Sequence, residues 1–299
     1  ELHRGQLAGN ALARLYAKVV AELRATGPWT AEQVVAIGAH GQTVRHLPRI
    51  GDEPGYTLQV NNPALLAELS GIAVVADFRS RDVAAGGQGA PLVPAFHRAL
   101  FGRPGEAAAV LNLGGISNLT ILSADGQTRG FDCGPANVLM DLWCLRHTGQ
   151  RFDADGAWAA QGSIQPGLLH VLLQEPYFTE PPPKSTGRDL FNVNWLEDRL
   201  RIHGPCHPVD VQATLCELTA VTCTDAIKAH AGDANELLVC GGGALNRHLM
   251  GRLAHHLPAR QPDPGFQPRG RRHPPHRAEG AAGEGADRGQ AQALAGQAR

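Results

Sequence analysis

Apolar and polar positions in the first third of the chain predict helices and strands in alternation. Residues 7–24 carry apolar side chains at helical spacing, which predicts an amphipathic helix. Short apolar runs at residues 34–37 and 72–76 predict strands, the second of them buried, with a loop at residues 38–43. Asn62 and Pro63 are expected to open a helix that ends near residue 69.

The alternation continues through the rest of the chain. Residues 107–113 and 116–122 predict a hairpin of two strands around Gly114 and Gly115, and residues 237–240 predict a strand that leads into a glycine-rich turn. Helices are expected at residues 92–100, 136–146, 209–229 and 246–257. Strands and helices in this order indicate the α/β class.

The length of the chain predicts two folded domains followed by a tail. With 299 residues and about 100–200 residues per domain, we expect domains at residues 1–105 and 106–258. Residues 259–299 contain no Ile, Val, Met, Trp, Tyr or Cys. Such a segment buries too little apolar surface to offset the entropy of ordering, so we expect it to be disordered.

Charge and cysteine content narrow the classes of function. The formal net charge of -1 gives no bias toward nucleic acid or an anionic membrane. No apolar run reaches the roughly 18–20 residues that a membrane helix needs. The six cysteines form no CxxC pair, which indicates reduced thiols in a cytoplasmic protein.

A charged, glycine-rich segment follows the apolar run at residues 72–76. It carries Asp77, Arg79, Arg81 and Asp82, and glycines follow at residues 86, 87 and 89. Charges at the end of a buried strand are costly unless they pair or bind something. Glycines allow backbone N–H groups to approach a ligand closely. The segment therefore predicts a site for an anion or a sugar.

Two glycine turns are candidates for phosphate and nucleotide binding. Gly114 and Gly115, together with Asn118, place backbone amides where phosphate oxygens could lie, although a tight hairpin alone explains the same pattern. The triplet at residues 241–243 joins a strand to the helix that follows Asn246, and a nucleotide can lie on such a turn. A close crossing of strand and helix is the alternative, and no Walker A sequence is present.

Three further stretches carry candidate polar groups. Asp132 precedes a Gly-Pro turn and a helix, where it is either a carboxylate facing a cleft or a helix-cap or turn residue. The loop at residues 183–189 has two cations for phosphate, or it is a surface loop whose Asp189 caps a helix. His40, Gln42 and His46 suit contacts to sugar hydroxyls, and no third ligand is spaced for a metal site.

Taken together, these stretches closely resemble the anhydro-N-acetylmuramic acid kinase family, which recycles a cell-wall amino sugar. The resemblance runs from about residue 7 to residue 258. The matching motifs lie at residues 40–43, 57–59, 77–91, 111–120, 130–137, 183–192, 211–215 and 240–246.

The resemblance implies two RNase H-like domains of the actin-like ATPase superfamily, with ATP in the cleft between them. It implies an enzyme that adds water to the 1,6-anhydro ring and phosphorylates O6, using ATP and Mg²⁺. Asp132 matches the family's base. The sugar-site segment matches Asp77, Arg79, Arg81 and Asp82, with His40 and Gln42 nearby. The phosphate loop matches Gly114, Gly115 and Asn118, and the adenosine loop matches Gly241, Gly242, Gly243 and Asn246. A small amino sugar is the expected partner, without nucleic acid or membrane, and a homodimer is left open.

The chain departs from the family pattern in four places. The family's Gly-Thr-Ser-x-Asp-Gly phosphate loop belongs upstream of residue 1, Asn61-Asn62 replace Gly-Asp, and Cys133 and Ala136 replace Thr and Gly. The family's C-terminal strand and helix are replaced by the Arg/Gly/Pro-rich residues after 258, as a frameshift would produce. We therefore expect an altered N-terminal hairpin and closing segment, and weak or no activity for residues 1–299.

Three alternatives remain open from the sequence. The first is a non-catalytic remnant of the fold that binds nucleotide or sugar. The second is a glycosidase that uses Asp77 and Asp82, although on an extended segment this spacing would point them to opposite faces. The third is a chaperone-like member of the superfamily that binds ATP and leaves the sugar unchanged.

Overall fold

The structure is a computed structural model that describes residues 1–27, 29–51 and 53–257. These residues belong to one compact unit, Glu1–Pro258. The disorder expected for residues 259–299 lies outside the described residues. The division of the preceding part into domains at residue 105 stays a prediction.

The N-terminal elements form two small sheets flanked by helices. The parallel pair of strands is β1 (Ile37–Ala39) with β4 (Val74–Ala76), and the antiparallel pair is β2 (Gln42–Ile50) with β3 (Glu53–Val60). The helices are α1 (Leu2–Thr26), α2 (Pro63–Ser70), α3 (Ser80–Ala84) and α4 (Pro94–Phe101), with a 3₁₀ turn at Ala31–Gln33. Asn62 begins α2 by accepting a hydrogen bond from the Leu65 N–H at 3.0 Å, as the Asn-Pro pair predicts.

A four-stranded sheet organises the C-terminal elements. Its strands are β5 (Ala108–Leu113), β6 (Ile116–Leu122), β7 (Thr128–Pro135) and β8 (Glu236–Cys240), in the order β7-β6-β5-β8. Strand β8 runs parallel to β5, and the other neighbours are antiparallel. The helices are α5 (Asn137–Thr148), α6 (Pro166–Leu173), α7 (Val193–His203), α8 (Pro208–His230) and α9 (Arg247–His256). Short 3₁₀ turns lie at Ala154–Gly156, Ala159–Gln161, Pro176–Thr179 and Gly242–Leu245.

Helix α8 is the centre of the main hydrophobic core. It contacts β6 and β7 on one side and α5, α6 and α9 on the others. Because neighbours surround it, its polar residues are buried together with its apolar ones; Gln212, Thr214, Glu217 and Thr219 are examples. Leu111, Leu119 and Phe131 belong to the same core, so the sheet behind the glycine turns is rigidly supported.

The prediction of the α/β class is confirmed, and so are the hairpin at Gly114–Gly115, the strand at β8 and the helices predicted in both halves of the chain. Three details of the N-terminal half are wrong. The first strand starts at Ile37 rather than at residue 34. The second keeps only Val74–Ala76, and its Val75 is 52% exposed because β4 pairs with β1 alone among the described strands. The predicted loop at residues 38–43 is short, since β2 already begins at Gln42.

Several elements lie outside what the hydrophobic pattern predicts. Strands β2 and β3 carry Arg, His, Pro and Gly among their apolar residues, which hides the period of two. Strand β7 contains Gly130 and Gly134 and ends in Pro135, which is typical of a turn. No helix among the described residues is long and apolar enough to cross a membrane.

Truncating the core under the sheet is expected to destabilise the fold. Leu119 is fully buried, whereas Leu58 on β3 is 50% exposed. We expect Leu119→Ala to lower the free energy of unfolding by about 2–5 kcal/mol and Leu58→Ala by less than about 1 kcal/mol. Urea unfolding followed by circular dichroism measures both. Equal losses in the two variants would contradict the placement of the core.

Candidate functional site

The two predicted glycine turns lie at the same edge of the four-stranded sheet. Because β5 and β8 are parallel, their carboxyl ends meet, with Asn112 opposite Cys240. Gly241 has a φ of +85°, and a Cβ there would lie 2.6 Å from the Leu113 carbonyl oxygen. A Cβ on Gly243 would lie 2.7 Å from the Leu113 Cβ. The strand and the turn therefore cross too closely for any side chain at these two positions.

The turn at Gly114–Gly115 is tied to the beginning of α5. The Gly114 carbonyl accepts from the Asn137 N–H at 3.0 Å, and the Gly115 carbonyl accepts from the N–H groups of Ala136 and Val138 at 2.9 and 3.0 Å. Asn137 also donates from its side chain to the Leu113 carbonyl at 3.1 Å. These bonds hold the hairpin and the helix together, and the 241–243 turn packs against Leu113 and Asn137 beside them. This edge of the sheet, defined by Gly114, Gly115 and residues 241–243, is called the glycine edge below.

Asn246 has a structural role in this region. Its side-chain oxygen accepts the Leu249 N–H at 2.9 Å and so caps α9. A Cβ on Gly156 would lie 2.3 Å from the same oxygen, so the turn at Ala154–Gly156 packs directly on the cap. A contact between Asn246 and a nucleotide stays a prediction.

A row of polar residues crosses the sheet from Asp132 to the glycine edge. In register, Asp132 on β7 lies opposite Asn118 on β6, which lies opposite Asn112 on β5, next to Cys240 on β8. Directly paired residues point to the same face of a sheet. The Asn118 Oδ1 atom is buried and accepts no hydrogen bond from the described residues. The sheet therefore brings Asp132 and Asn118 to one face, on the path to the glycine edge.

Asp132 is held within strand β7, so its interpretation as a helix cap or turn residue is wrong. The residue is 5% exposed. Its N–H donates to the Lys184 carbonyl at 3.2 Å, its carbonyl accepts from the Tyr177 hydroxyl at 2.7 Å, and its Oδ2 accepts from the Thr186 N–H at 3.0 Å. The whole residue is thus fixed by the segment at residues 177–186.

The surroundings of Asp132 raise the pKa of its carboxyl toward 7. Burial raises the pKa of the carboxyl to about 7, against the lowering effects of the Thr186 N–H and the Arg79 charge. A carboxyl with a pKa near the working pH is suited to take up a proton during a reaction.

Arg79 reaches the same place from the N-terminal half. Its Nε donates to the His40 Nε2 at 2.8 Å, and its Nη1 donates to the Gly89 carbonyl at 2.5 Å. Because His40 Nε2 accepts here, the proton sits on its Nδ1, which donates to the Gly41 carbonyl at 2.7 Å. Burial lowers the pKa of Arg79 and the Asp132 charge raises it. Two predicted substrate residues, His40 and Arg79, thus come together with the predicted base.

The other predicted substrate residues serve local structure or face solvent. Asp77 Oδ1 accepts the Ser80 N–H at 3.2 Å, and Asp82 Oδ2 accepts the Gly89 N–H at 2.7 Å. Asp82 lies in helix α3, so the two carboxylates do not share an extended segment and the argument from opposite faces does not apply. Arg81 and Gln42 are exposed. Sugar contacts by these four residues stay predictions.

A cavity of about 600 Å³ opens against the segment that holds Asp132, and three of its lining residues, Tyr177, Lys184 and Thr186, are hydrogen-bonded to Asp132. It lies between the β2 strand and the 177–190 segment; its lining residues are His46, Leu47, Pro48, Arg49, Gln88, Tyr177, Glu180, Pro181, Pro183, Lys184, Ser185, Thr186, Gly187, Asp189 and Leu190. The segment at residues 183–189 is therefore a wall of the cavity. Its Asp189 does not cap a helix; Asn192 caps α7 by accepting the Trp195 N–H at 3.1 Å.

His46 joins the two walls of this cavity. Its ring nitrogens lie 3.0 Å from the Thr57 hydroxyl and 3.1 Å from the Ser185 hydroxyl, and its N–H donates to Asp189 Oδ2 at 3.2 Å. Burial and the nearby Arg79 charge lower the pKa of the His46 ring, so the ring is neutral at pH 7. Sequence reasoning assigned Thr57, Gln88 and Tyr177 no role in the site: Thr57 and Gln88 lie in the matched motifs at residues 57–59 and 77–91 without a role of their own, and Tyr177 lies in no motif.

The described residues contain no group of three or more His, Cys, Asp or Glu side chains that could hold a metal ion. The six cysteines are all free thiols, four of them buried. Lys184, predicted to contact phosphate, points inward and donates from Nζ to the Tyr177 carbonyl at 2.8 Å.

The two glycine turns offer a matched pair of substitutions. Gly241→Ala places a Cβ against the Leu113 carbonyl at a positive φ, whereas a Cβ on Gly115 meets only the Val138 Cβ at 3.9 Å. We expect Gly241→Ala to cost about 1–3 kcal/mol of stability from backbone strain and the close contact, and Gly115→Ala to cost less than about 1 kcal/mol. Thermal unfolding measures both. A stability of Gly241→Ala equal to that of the unsubstituted chain would contradict the crossing.

The family match and the similar proteins carry the same family name. The family described as "Anhydro-N-acetylmuramic acid kinase" matches residues 1–265. A protein of that name from Albidiferax ferrireducens is 58% identical over 278 residues, covering 86% of this chain and 72% of the relative. One from Variovorax paradoxus is 61% identical over 263 residues, covering 86% and 70%.

Likeness to solved structures is weak by comparison. An activator of 2-hydroxyisocaproyl-CoA dehydratase from Clostridium difficile aligns with a TM-score of 0.37 and 13% identity, covering 74% of this chain and 84% of that one. A TM-score this low carries no argument about the fold. The sequence matches carry the assignment instead, because the family match spans the glycine edge, the strand with Asp132 and the segment with Arg79. The chain belongs to the anhydro-N-acetylmuramic acid kinase family.

Proposed function

We propose that this kinase opens the 1,6-anhydro ring of N-acetylmuramic acid with water and phosphorylates O6 from ATP, with Asp132 as the base. Water forms a bond to the anomeric carbon as the bond from that carbon to O6 breaks. O6 takes the γ-phosphoryl group, ADP leaves, and the proton of the water passes to Asp132. The products are N-acetylmuramic acid 6-phosphate and ADP.

One observation carries this proposal. A buried carboxylate with a pKa of about 7 is hydrogen-bonded to Tyr177, Lys184 and Thr186, which line a cavity, and its row of the sheet ends at Cys240, next to the glycine edge. A base must be unprotonated before the reaction and must hold the proton after it, and a pKa near neutrality serves both needs. The N–H of Thr186 and the charge of Arg79 stabilise the unprotonated form, while burial favours the protonated one.

The glycine edge is the proposed place of ATP. Gly241 and Gly243 pack directly against Leu113, as a close crossing of strand and turn requires, and the placement of ATP at this edge rests on the family match through these residues. Asn118 presents a buried oxygen without a partner among the described residues, between this edge and Asp132. Mg²⁺ on a nucleotide is held mainly by phosphate oxygens and water with one or two carboxylates. The described residues offer no larger ligand cluster, so Mg²⁺ enters this proposal only as part of the nucleotide.

The cavity beside Asp132 is the proposed place of the sugar. Its volume of about 600 Å³ is in the ordinary range for small-molecule sites. His46, Ser185 and Gln88 offer polar groups suited to hydroxyls and to an acetamido group. Arg79 uses Nε and Nη1 within the protein, which leaves Nη2 for the lactyl carboxylate. The cytoplasmic location and a homodimer stay predictions.

Turnover and the base are tested together. The chain is incubated with 1,6-anhydro-N-acetylmuramic acid and Mg-ATP, and the 6-phosphate is sought by mass spectrometry. We expect Asp132→Asn to lower the rate by at least about 10²–10⁴-fold, the usual contribution of a general base. Asp125→Asn, at an exposed turn, is the matched control and should keep the full rate.

The outcomes of that assay distinguish the proposed kinase reaction from the alternative functions. Full activity in Asp132→Asn would reject the base. If a folded sample gives no product but melts at a higher temperature with ATP or sugar, the chain is the non-catalytic binder that the sequence leaves open. Hydrolysis of the sugar without ATP would favour a glycosidase.

The acidity of Asp132 predicts a pH profile for kcat/KM. The base form accumulates as the pH rises through about 7, so kcat/KM should rise by about tenfold for each pH unit below that value and level off above it. Rates measured from pH 5 to pH 9 with subsaturating sugar test this. A profile that is already level at pH 5 would contradict the raised pKa.

The raised pKa of Asp132 also predicts that its charged carboxylate destabilises the folded state at high pH. The folded carboxyl has a pKa of about 7, above its unfolded value of about 4. The folded state therefore holds a proton more tightly, and stability is lost as the pH rises from about 4 to about 7 and stays level above that. Asp132→Asn should be more stable than the unsubstituted chain at pH 8, by up to about 4 kcal/mol, with little of this gain below pH 4. Denaturant unfolding at the two pH values decides it, and a gain that is the same at both would refute this account.

A further inference from the structure

Lys184 carries a buried ammonium group close to the proposed base. The residue is 7% exposed, and its Nζ donates to the Tyr177 carbonyl at 2.8 Å and to the Phe178 carbonyl at 3.3 Å. The ammonium also lies 4.6 Å from the centre of the Tyr177 ring. No ion pair joins it to a carboxylate among the described residues. The Tyr177 and Phe178 carbonyls and the Tyr177 ring stabilise its positive charge.

Burying an ammonium group without a carboxylate is costly, and here burial lowers the pKa of Lys184. A methionine or leucine would fill the same space without that cost. Unlike those side chains, Lys184 donates hydrogen bonds to defined carbonyls. Its side chain fixes its own backbone to the 3₁₀ turn at Pro176–Thr179, whose last carbonyls would otherwise lack these donors.

The backbone that Lys184 fixes is the one that holds Asp132. The Lys184 carbonyl accepts the Asp132 N–H at 3.2 Å, and two residues later the Thr186 N–H donates to Asp132 Oδ2 at 3.0 Å. From the other side, the Tyr177 hydroxyl donates to the Asp132 carbonyl at 2.7 Å. The Lys184 side chain therefore closes a ring of hydrogen bonds that runs through Asp132, residues 184–186 and Tyr177.

We propose that Lys184 is a positioning residue for Asp132: by attaching residues 184–186 to the turn at Pro176–Thr179, it holds the Thr186 N–H on the carboxylate. The inference rests on the proposed role of Asp132 as the base. Lys184 acts through Thr186, because its ammonium faces Tyr177 and Phe178 and is already occupied by their carbonyls. Two of the three N–H donors of this ammonium are used by these carbonyls, and the group is buried against the Tyr177 ring, so the contact with phosphate that the sequence suggested could use only its remaining N–H.

The surroundings of Asp132 define what the test must separate. The charged and titratable groups that face it are Arg79 from the N-terminal half, Tyr177 and Lys184 from the 177–186 segment, and the buried Cys133 beside it in β7. The positive charge that lowers the pKa of Asp132 is that of Arg79. Removing the Lys184 attachment should therefore act on Asp132 through the Thr186 N–H and leave Arg79 unchanged.

The first experiment titrates Asp132 itself and needs no turnover. The chain is labelled with ¹³C at the aspartate carboxyls, and the Asp132 signal is identified by its loss in Asp132→Asn. In Lys184→Met we expect the proton affinity of Asp132 to rise about tenfold, the effect of losing one hydrogen bond to a charged carboxylate. Lys228→Met, which removes a surface lysine paired only with Asp225, is the matched control and should leave the titration unchanged.

A second variant separates attachment from charge. Lys184→Gln keeps an uncharged N–H donor one bond nearer the backbone, so its titration should lie between those of the unsubstituted chain and Lys184→Met. This variant also carries the test if Lys184→Met does not fold. An Asp132 titration in folded Lys184→Met that equals that of the unsubstituted chain would overturn the proposal.

Kinetics give an independent readout. We expect Lys184→Met to lower kcat at least about tenfold while the KM for ATP changes by less than about twofold, because a misplaced base slows the chemical step and leaves nucleotide binding intact. An increase in the KM for ATP at unchanged kcat would mean that Lys184 contacts phosphate, which overturns the proposal. If the unsubstituted chain gives no product, as its departures from the family pattern predict, the titration alone decides whether Lys184 holds the carboxylate.

Discussion

The rest of the site depends on one constraint, the burial of the Asp132 carboxylate inside a sheet. A carboxylate in this position is unfavourable when charged, and the structure meets that cost with the Thr186 N–H and the nearby Arg79 guanidinium. The compensation is partial, which leaves the pKa near neutrality rather than near 4. A fully satisfied carboxylate would be a weaker base, and an unsatisfied one would stay protonated. The proposed function thus requires a carboxylate whose charged form the fold destabilises.

Two parts of the chain meet at this carboxylate. The C-terminal sheet supplies a rigid row from Asp132 through Asn118 to the glycine edge, supported from behind by the buried helix α8. The N-terminal half supplies Arg79 and His46, which reach toward the same place through bonds to His40, Gly89 and Ser185. Phosphoryl transfer depends mainly on position and charge, so a rigid sheet on one side and the Arg79 cation on the other suit the proposed reaction.

The site residues implied by family resemblance divide into two groups in three dimensions. Asp132, Arg79 and His40 converge on one place, as do Gly241 and Gly243 at the glycine edge. Asp77 and Asp82 instead accept backbone N–H groups of their own turn, and Asn246 caps a helix. A motif marks where a family needs a residue, but it does not separate contact with a ligand from support of the loop that makes the contact. Lys184 shows the difference most clearly, since its charge suggests phosphate and its geometry shows an internal attachment.

The sequence by itself determined the α/β class, the strands and helices with clear periodicity and, through resemblance, the family; the same resemblance singled out Asp132 as the proposed base. These follow from local pattern and from motifs, which are properties of neighbouring residues. Only the tertiary structure decided that β7 is a strand, that residues 183–189 line a cavity and that Lys184 points inward. It also decided the pKa of Asp132, because desolvation and the Arg79 charge come from groups far apart along the chain. No local pattern encodes how deeply a carboxylate is buried or which guanidinium lies beside it.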